Sequence, residues 1–206
     1  MQQVMKIAAS ALIDAGTVLI ADSDAVLLRP TTAADFRDGG ELGLVRAEDA
    51  VHFGMDRHIL WHHVAHRLLG LAGTCRLPLP DYVNPINVWD PVIVRAMQHR
   101  ISEVTGMSWV DAFTSELHIS EFVLYGVFVD EIIGTATRHD STICHNYYGR
   151  TSLDHDRAMA FADQIAPEAV GMMISSHSGT SREVRLAAFR RGREAAWNGR
   201  QGRPEL

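Results

Sequence analysis

The fold class is indicated by residues 17–30, which read TVLIADSDAVLLRP. Residues 17–21 form a short apolar run with several β-branched side chains. A run of this kind predicts a strand that is buried on both faces, as in a sheet covered by helices. The run stops at Asp22-Ser23-Asp24 and continues through residues 25–28. Ligands of open α/β sheets bind beyond the carboxyl ends of the strands, so this position is where a functional motif is expected.

The spacing of Asp22 and Asp24 favours a metal site. Buried carboxylates need a partner, and a divalent cation is an efficient one. One or two carboxylates, with phosphate oxygens completing the shell, hold Mg²⁺ or Mn²⁺ in many proteins. The alternative is a solvated turn, in which Asp and Ser are common. The position of the motif at the end of an apolar strand favours the metal interpretation.

Helix and strand patterns alternate along the rest of the chain, which predicts one α/β domain over residues 1–206. Asp90-Pro91 has the pattern of an N-cap followed by proline at the first helical position. Helices are expected at residues 4–16, at 59–71, after Asp90, from Ser120, from Ser152 to about Ala166, and from Thr180 or Ser181. Strands are expected at residues 42–45, within 77–89, at 142–148 and at 170–174. The tail, residues 199–206, is expected to be frayed.

Bulk properties narrow the function classes. The net charge of -6 argues against a general nucleic-acid binder, which needs clustered cations. No apolar stretch approaches the roughly 20 residues of a membrane-spanning helix, and the start does not read as a signal peptide. Cys75 and Cys144 lack the spacing of a zinc knuckle and suit reduced thiols. A cytoplasmic location is therefore expected.

Several segments resemble a family of bacterial glycosyltransferases with a GT-A-like fold, the fold of nucleotide-diphospho-sugar transferases. The segments are QVMKIAA (3–9), VLIADSDAVLLRP (18–30), YVNP (82–85), WDP (89–91) and SEFVLYG (120–126). The resemblance reaches to about residue 180 and implies a three-layer sandwich with a mixed sheet flanked by helices. GT-A folds normally place about a hundred residues of strands and helices before the DxD motif, and these hold the nucleotide base. Here the motif follows a single helix, so the nucleotide-binding half is expected to be missing or supplied elsewhere.

The resemblance implies a metal-dependent transfer of sugar from a nucleotide-diphosphate donor to an acceptor hydroxyl. Asp22 and Asp24 would hold Mn²⁺ or Mg²⁺ between the two donor phosphates, where the metal acts as a Lewis acid. Asp22 and Ser23 would contact the donor. In an inverting reaction Glu121 would take the acceptor proton. Its alternative role is to cap a helix, because a carboxylate in the first turn is favoured by the dipole.

Further site residues are weaker predictions. Trp89 and Tyr125 suit stacking on a sugar, and Asn84 and Gly126 lie in the segments matched to the acceptor side. Aromatic residues at helix borders are more often part of the core. A late histidine often completes the metal site of GT-A enzymes, and His145 and His177 each follow a strand-like run. A structural role for each histidine remains the alternative.

Other polar clusters are expected to be structural. His58, His62 and His66 share one helix face, which could chelate zinc but lacks the HExxH glutamate. A half-exposed helix face is the preferred interpretation. Asp154-His155-Asp156 repeats the DxD spelling in a predicted first turn, where capping explains acidic residues. The arginine-rich last helix could touch an anionic membrane, although a solvated helix is the simpler interpretation.

Two rival functions stay open on the sequence. Residues 22–27 also fit the opening motif of haloacid-dehalogenase-like phosphatases, but that class needs a later lysine and an acidic pair after another strand. Lys6, the lysine of this chain, precedes the motif. A non-catalytic remnant or a partner-binding subunit is the other alternative, and assembly into an oligomer stays open. The donor, the acceptor and the stereochemical course are left open.

Overall fold

A computed structural model describes residues 2–38, 41–73, 75–134, 138–139 and 143–201. Within these ranges the protein is mixed α/β, with short sheets that contain parallel and antiparallel pairs. The predicted α/β class is therefore confirmed. The helix bounds are α1 (Gln2–Leu12), α2 (Asp56–Leu69), α3 (Pro91–Thr105), α4 (Trp109–Thr114), α5 (Glu121–Val127), α6 (His155–Asp163) and α7 (Arg182–Gln201).

Shorter helical turns lie at Ala33–Phe36 and Ser176–Ser178, which are 3₁₀, and at Phe128–Ile133, which is π-helical. The strands are β1 (Val18–Ala21), β2 (Ala25–Leu27), β3 (Arg37–Asp38), β4 (Glu41–Leu42), β5 (Leu44–Val45), β6 (Ala47–Val51), β7 (Leu79–Asp81), β8 (Ile86–Trp89), β9 (Arg138–His139), β10 (Cys144–Tyr147) and β11 (Gly171–Ile174). No helix in the described ranges is long and apolar enough to cross a membrane. Residues 202–206 of the tail and Thr142 of a predicted strand lie outside the described residues.

The chain divides into two compact units. Unit 1 comprises Met1–Ile20 and Phe36–Asp140, and unit 2 comprises Ala21–Asp35 and Ser141–Leu206. Each unit has its own cluster of buried apolar side chains. The boundary falls directly before the DxD motif, so the motif belongs to unit 2. A single domain over residues 1–206 stays a prediction.

Unit 1 is mainly helical, and its helix starts follow the sequence signals. The Asp90 side chain accepts a hydrogen bond from the Val92 amide at 2.7 Å, with Pro91 at the first helical position, as predicted. The buried residues of α3 include Val94, Met97 and Ile101. Val92 of the same helix is 63% exposed. The reason is helical geometry, since a residue two positions before Val94 points to nearly the opposite side.

Unit 2 is built on a three-stranded sheet with β11 in the centre. Strand β11 pairs in parallel with β10 and antiparallel with β2, and all four of its residues are buried. Helices α6 and α7 pack against each other. Ser152 was predicted to cap α6, but Asp154 is the N-cap and accepts from the Arg157 amide at 2.9 Å. The helix therefore starts two residues later than expected, although a capping role for this acidic stretch is confirmed.

The segment that decided the fold class differs from its prediction in one respect. Strand β1 pairs with β8, whereas β2 pairs with β11, so residues 17–28 contribute to two separate sheets. Ile20 is buried in β1, but Leu19 is 41% exposed. The prediction that this strand is buried on both faces is therefore wrong. A two-stranded sheet offers little area for a second covering layer, which leaves alternate side chains in contact with solvent.

Candidate functional site

The DxD motif occupies a tight turn in unit 2. The turn is closed by a hydrogen bond from the Ala25 amide to the Asp22 carbonyl at 3.0 Å. The Asp24 carboxylate accepts a hydrogen bond from the backbone amide of Ser176 at 2.8 Å. Ser176 opens the 3₁₀ turn that follows β11. The motif therefore lies beyond the carboxyl end of the central strand of unit 2, although that strand is β11 and not β1.

Both carboxylates of the motif raise the pKa of one buried thiol, that of Cys144. Cys144 is 1% exposed at the start of β10. Burial raises the pKa of Cys144 to about 12, and the negative charges of Asp22 and Asp24 add to this rise. Coulomb interactions weaken with distance, so both aspartates lie near this thiol. Asp22 and Asp24 therefore concentrate negative charge at one strand end.

A cleft of about 290 Å³ opens beside the turn. Its lining residues are Ser23, Asp24, Val26, Ser176, Arg182, Arg185, Leu186 and Phe189. Arg182 and Arg185 stand in the first turn of the 20-residue helix α7, which begins after Ser181. The Ser181 hydroxyl accepts a hydrogen bond from the Val184 amide at 3.2 Å, as expected of an N-cap.

The two arginines of this cleft, Arg182 and Arg185, are suited to binding an anion. In the described residues neither Arg182 nor Arg185 has an ion-pair partner, and Nε of Arg185 is buried without a hydrogen-bond partner. A buried donor without a partner costs free energy, and a ligand oxygen would relieve that cost. The amino end of a helix also favours negative charge. The cleft thus presents guanidinium groups and the Asp24 carboxylate to the same space.

The Asp22 and Asp24 carboxylates fit a hard divalent cation only if oxygen atoms of a bound ligand complete the coordination shell of the metal. Among the described residues no three His, Cys, Asp or Glu side chains are grouped as a complete metal cage. Asp22 and Asp24 provide carboxylates, and Mg²⁺ commonly binds one or two of these with phosphate oxygens and water as the other ligands. His177 is exposed and follows Ser176 directly, so its backbone lies beside the motif.

His145 has a structural role. Its Nε2 lies 2.8 Å from the Phe161 carbonyl, to which it donates a hydrogen bond, and its ring stacks on the Phe161 ring at 4.1 Å. Burial lowers the pKa of His145. The ring is engaged with α6, so the structure supports the structural alternative for His145 rather than the predicted metal-ligand role.

Glu121 is buried in unit 1 and forms an ion pair with the partly buried Lys6. Its Oε1 lies 2.8 Å from Nζ of Lys6, and the two side chains are 4% and 15% exposed. The Lys6 ammonium also lies 4.3 Å from the centre of the Phe122 ring. The predicted helix start is confirmed, with the Ser120 hydroxyl accepting from the Val123 amide. Glu121 thus compensates the charge of a partly buried lysine, a role that the sequence interpretation did not consider beside base catalysis and capping.

Three of the residues predicted to contact substrate lie in the core of unit 1. Asn84 is 1% exposed and accepts a hydrogen bond from the Ile86 amide at 3.1 Å. Trp89 is also 1% exposed, and its ring stacks on Tyr125 with centroids 4.9 Å apart. A Cβ on Gly126 would lie 2.2 Å from the Tyr82 ring. The structure gives these residues packing roles, and no face of the Trp89 indole is open to a sugar.

Tyr125 differs because it borders a cavity of unit 1. The side chain is 3% exposed, and its hydroxyl accepts a hydrogen bond from the Asp90 amide at 3.0 Å. Both residues line a cavity of about 300 Å³. The sequence could have indicated this pair, because Asp90 was identified as a helix cap and Tyr125 as a substrate-binding residue.

The three histidines on one face of α2, His58, His62 and His66, differ in exposure. His62 is 1% exposed, and its Nε2 donates to the Pro80 carbonyl at 2.9 Å. His66 Nε2 lies 2.9 Å from Glu131, and His58 Nδ1 lies 3.3 Å from Asp81. Burial lowers the pKa of His62 to about 4. His58 and His66 are partly exposed, so the predicted half-exposed face is confirmed for these two rings, whereas His62 is buried.

The requirements of a haloacid-dehalogenase-like phosphatase are not met in the described residues. That class uses a lysine, but Lys6 forms its ion pair with Glu121 inside unit 1. It also uses an acidic pair after a late strand, whereas residues 175–178 after β11 read SSHS. The rival interpretation therefore gains no support.

Comparison with known proteins gives one result. Residues 1–177 match the model of DUF6492, a family of unknown function. The chain belongs to this family. No curated protein matches the chain. No solved structure matches it. The family match covers the DxD turn and Tyr125 and ends within the 3₁₀ turn after β11, whereas α7 with its arginines follows the matched region.

Proposed function

We propose that the chain is a metal-dependent glycosyltransferase of GT-A-like type, whose unit 2 binds the diphosphate of a nucleotide sugar. One observation carries the proposal. Asp24 and the guanidinium groups of Arg182 and Arg185 line one cleft, at the carboxyl end of a central strand. Phosphate sites of α/β proteins occur in this position, where helix amino ends and strand carboxyl ends meet.

The charges explain why the ligand would be a diphosphate bound together with a cation. Asp22 and Asp24 alone would repel an anion at close range, whereas a divalent cation between carboxylates and phosphate removes that repulsion. When bound, the cation would stabilise negative charge on the departing diphosphate. Asp22 and Asp24 would hold it. Arg182 and Arg185 would donate charge-assisted hydrogen bonds to phosphate oxygens, a geometry for which arginine is suited.

Turnover on nucleotide sugars tests the proposal. The chain is incubated with Mn²⁺ and a panel of UDP-, GDP- and dTDP-sugars, and release of nucleoside diphosphate is measured with and without simple sugar acceptors. We expect release to require Mn²⁺ and to fall on the order of 100-fold in Asp24→Asn, because the amide binds the cation poorly. Asp156→Asn is the matched control, since Asp156 belongs to the second DxD spelling and is exposed.

The outcomes separate the functions. Loss of release in Asp24→Asn but not in Asp156→Asn supports a transferase that works through the DxD turn. Equal release by wild type and Asp24→Asn, or release without any divalent cation, contradicts the proposal. No release from any donor, combined with no binding of nucleoside diphosphate, favours a non-catalytic role.

A further inference from the structure

The cavity bordered by Tyr125 lies within unit 1 and is formed around the start of α3, helix α5 with the π-helical turn, and strands β4 and β5. Its volume is about 300 Å³, the lower end of the range of small-molecule sites. Its polar lining residues are Arg37, Glu41, Asp90 and Tyr125. Its apolar lining residues are Leu42, Leu44, Ile93, Val129 and Ile133. Polar groups set beside apolar side chains in one cavity can orient a small ligand that has both kinds of surface.

The Tyr125 hydroxyl can donate a hydrogen bond into this cavity. The hydroxyl accepts from the Asp90 amide, and its own hydrogen has no acceptor among the described residues. At 3% exposure the side chain is almost fully buried. Buried hydroxyl groups normally donate as well as accept, so a ligand oxygen in the cavity would complete the hydrogen bonding. Burial raises the pKa of Tyr125, so this hydrogen stays in place at neutral pH.

Asp90 supplies the complementary acceptor. One carboxylate oxygen accepts from the Val92 amide at 2.7 Å, which caps α3. Within the described residues, the structure gives no partner to the other oxygen, and Asp90 lines the cavity. Tyr125 and Asp90 therefore present a donor and an acceptor next to each other, the pair of partners that a single alcohol group needs.

The charges of the lining indicate which ligand class fits. The carboxylates of Asp90 and Glu41 outnumber the guanidinium of Arg37, which disfavours a phosphate or a carboxylate ligand. A purely apolar ligand would leave Tyr125 and Asp90 without partners. A sugar ring has hydroxyl groups for both residues and C–H surfaces for the apolar wall.

We propose that this cavity binds a neutral polyhydroxylated molecule of monosaccharide size through Tyr125 and Asp90. The binding depends on unit 1 alone and does not rest on the proposed function of unit 2. Tyr125 and Asp90 are binding residues here, and Glu121, with its lysine partner, is not part of this site.

The test uses the full chain and a panel of methyl glycosides of glucose, galactose, mannose and N-acetylglucosamine. Saturation-transfer difference NMR identifies the binders, and titration gives their Kd. We expect at least one glycoside to bind. Tyr125→Phe should weaken it about 3- to 10-fold through loss of one hydrogen bond. Asp90→Asn should weaken it about 10-fold, while the asparagine still caps α3.

Matched controls keep the test decisive. Tyr82→Phe also removes one buried hydroxyl from unit 1, one that donates to Asp130 at 2.8 Å, but Tyr82 does not line the cavity. It should leave the Kd unchanged. The proposal is overturned if no glycoside binds, or if Tyr82→Phe weakens binding as much as Tyr125→Phe does. Asp24→Asn should retain glycoside binding, so glycoside binding without any nucleoside diphosphate binding would contradict the proposed function and leave this proposal standing.

Discussion

Replacing both partners of the Lys6–Glu121 pair should cost much less stability than the sum of the two single replacements. The ammonium and the carboxylate are 2.8 Å apart, with Glu121 only 4% exposed. Lys6→Met keeps the length of the lysine side chain and leaves the carboxylate buried without its partner. Glu121→Met leaves the lysine, which is 15% exposed and also contacts the Phe122 ring. The double variant leaves no buried charge.

The magnitude follows from distance and burial. At an effective dielectric constant of 20, two charges at this separation attract by about 6 kcal/mol. The cost of removing both from water offsets much of that attraction, so the net value of the pair is small. Lys6→Met leaves the buried Glu121 carboxylate without this partner and should cost about 3 kcal/mol, whereas Glu121→Met removes the carboxylate beside a partly exposed lysine and should cost about 2 kcal/mol. The double variant should lose about 2 kcal/mol, well below the sum of the single losses.

Urea unfolding of the four proteins at pH 7, followed by circular dichroism, measures these free energies. The expected coupling energy is about 3 kcal/mol, and it should shrink only slightly in 0.5 M NaCl because the pair is buried. Additive losses, with the double variant as unstable as the sum of the two single variants, would refute the buried pair. So would losses below about 0.5 kcal/mol for each single variant, which are typical of exposed pairs.

Two further predictions concern unit 1. The pKa of His62 is near 4 in the folded protein and about 6.5 when unfolded, so the unfolded state binds the extra proton between these values. Stability should therefore be full above pH 6.5 and fall by roughly 3 kcal/mol towards pH 4. Urea unfolding from pH 4.5 to 7.5 measures this fall; an equally steep fall in His62→Gln would contradict its assignment to His62. Gly126→Ala places a Cβ 2.2 Å from the Tyr82 ring and should cost about 1–3 kcal/mol. Gly16→Ala, whose nearest contact is 3.6 Å, is the control, and equal thermal stability of both variants would contradict the packing argument.

Local signals in the sequence predicted much of the secondary structure. Asp90-Pro91 and Ser120 mark helix starts because side-chain caps and proline act within one turn. The apolar run that became β11 was correctly predicted to be a buried strand. The pairing of strands into sheets was harder to predict. Residues 17–28 were interpreted as one strand region, but β1 and β2 belong to different sheets. A turn can redirect the chain, and the strand partners are set by distant segments that local patterns do not specify.

The candidate sites show the same contrast between local features, which the sequence predicts, and contacts between distant residues, which it does not. The DxD turn was predicted at a strand end, which is a local property, whereas its neighbours Arg182 and Arg185 are about 160 residues away and read as a solvated helix. Glu121 was assigned by resemblance, and its pairing with Lys6 could not be foreseen because the two residues are 115 positions apart. Trp89 and Asn84 have residue types that suit sugar binding, but both are buried in the core of unit 1. Burial depends on tertiary packing, which the residue type does not specify.

The central claim is that the DxD turn and the arginines of α7 form one site for a cation and a diphosphate. Titration calorimetry of UDP, GDP and dTDP into the full chain, with and without Mn²⁺, tests it most directly. We predict binding of at least one nucleoside diphosphate that tightens with Mn²⁺, that loses the Mn²⁺ dependence in Asp24→Asn, and that weakens on the order of 10-fold in Arg185→Ala. Nucleotide binding that is indifferent to Mn²⁺ and unchanged in both variants would contradict the account.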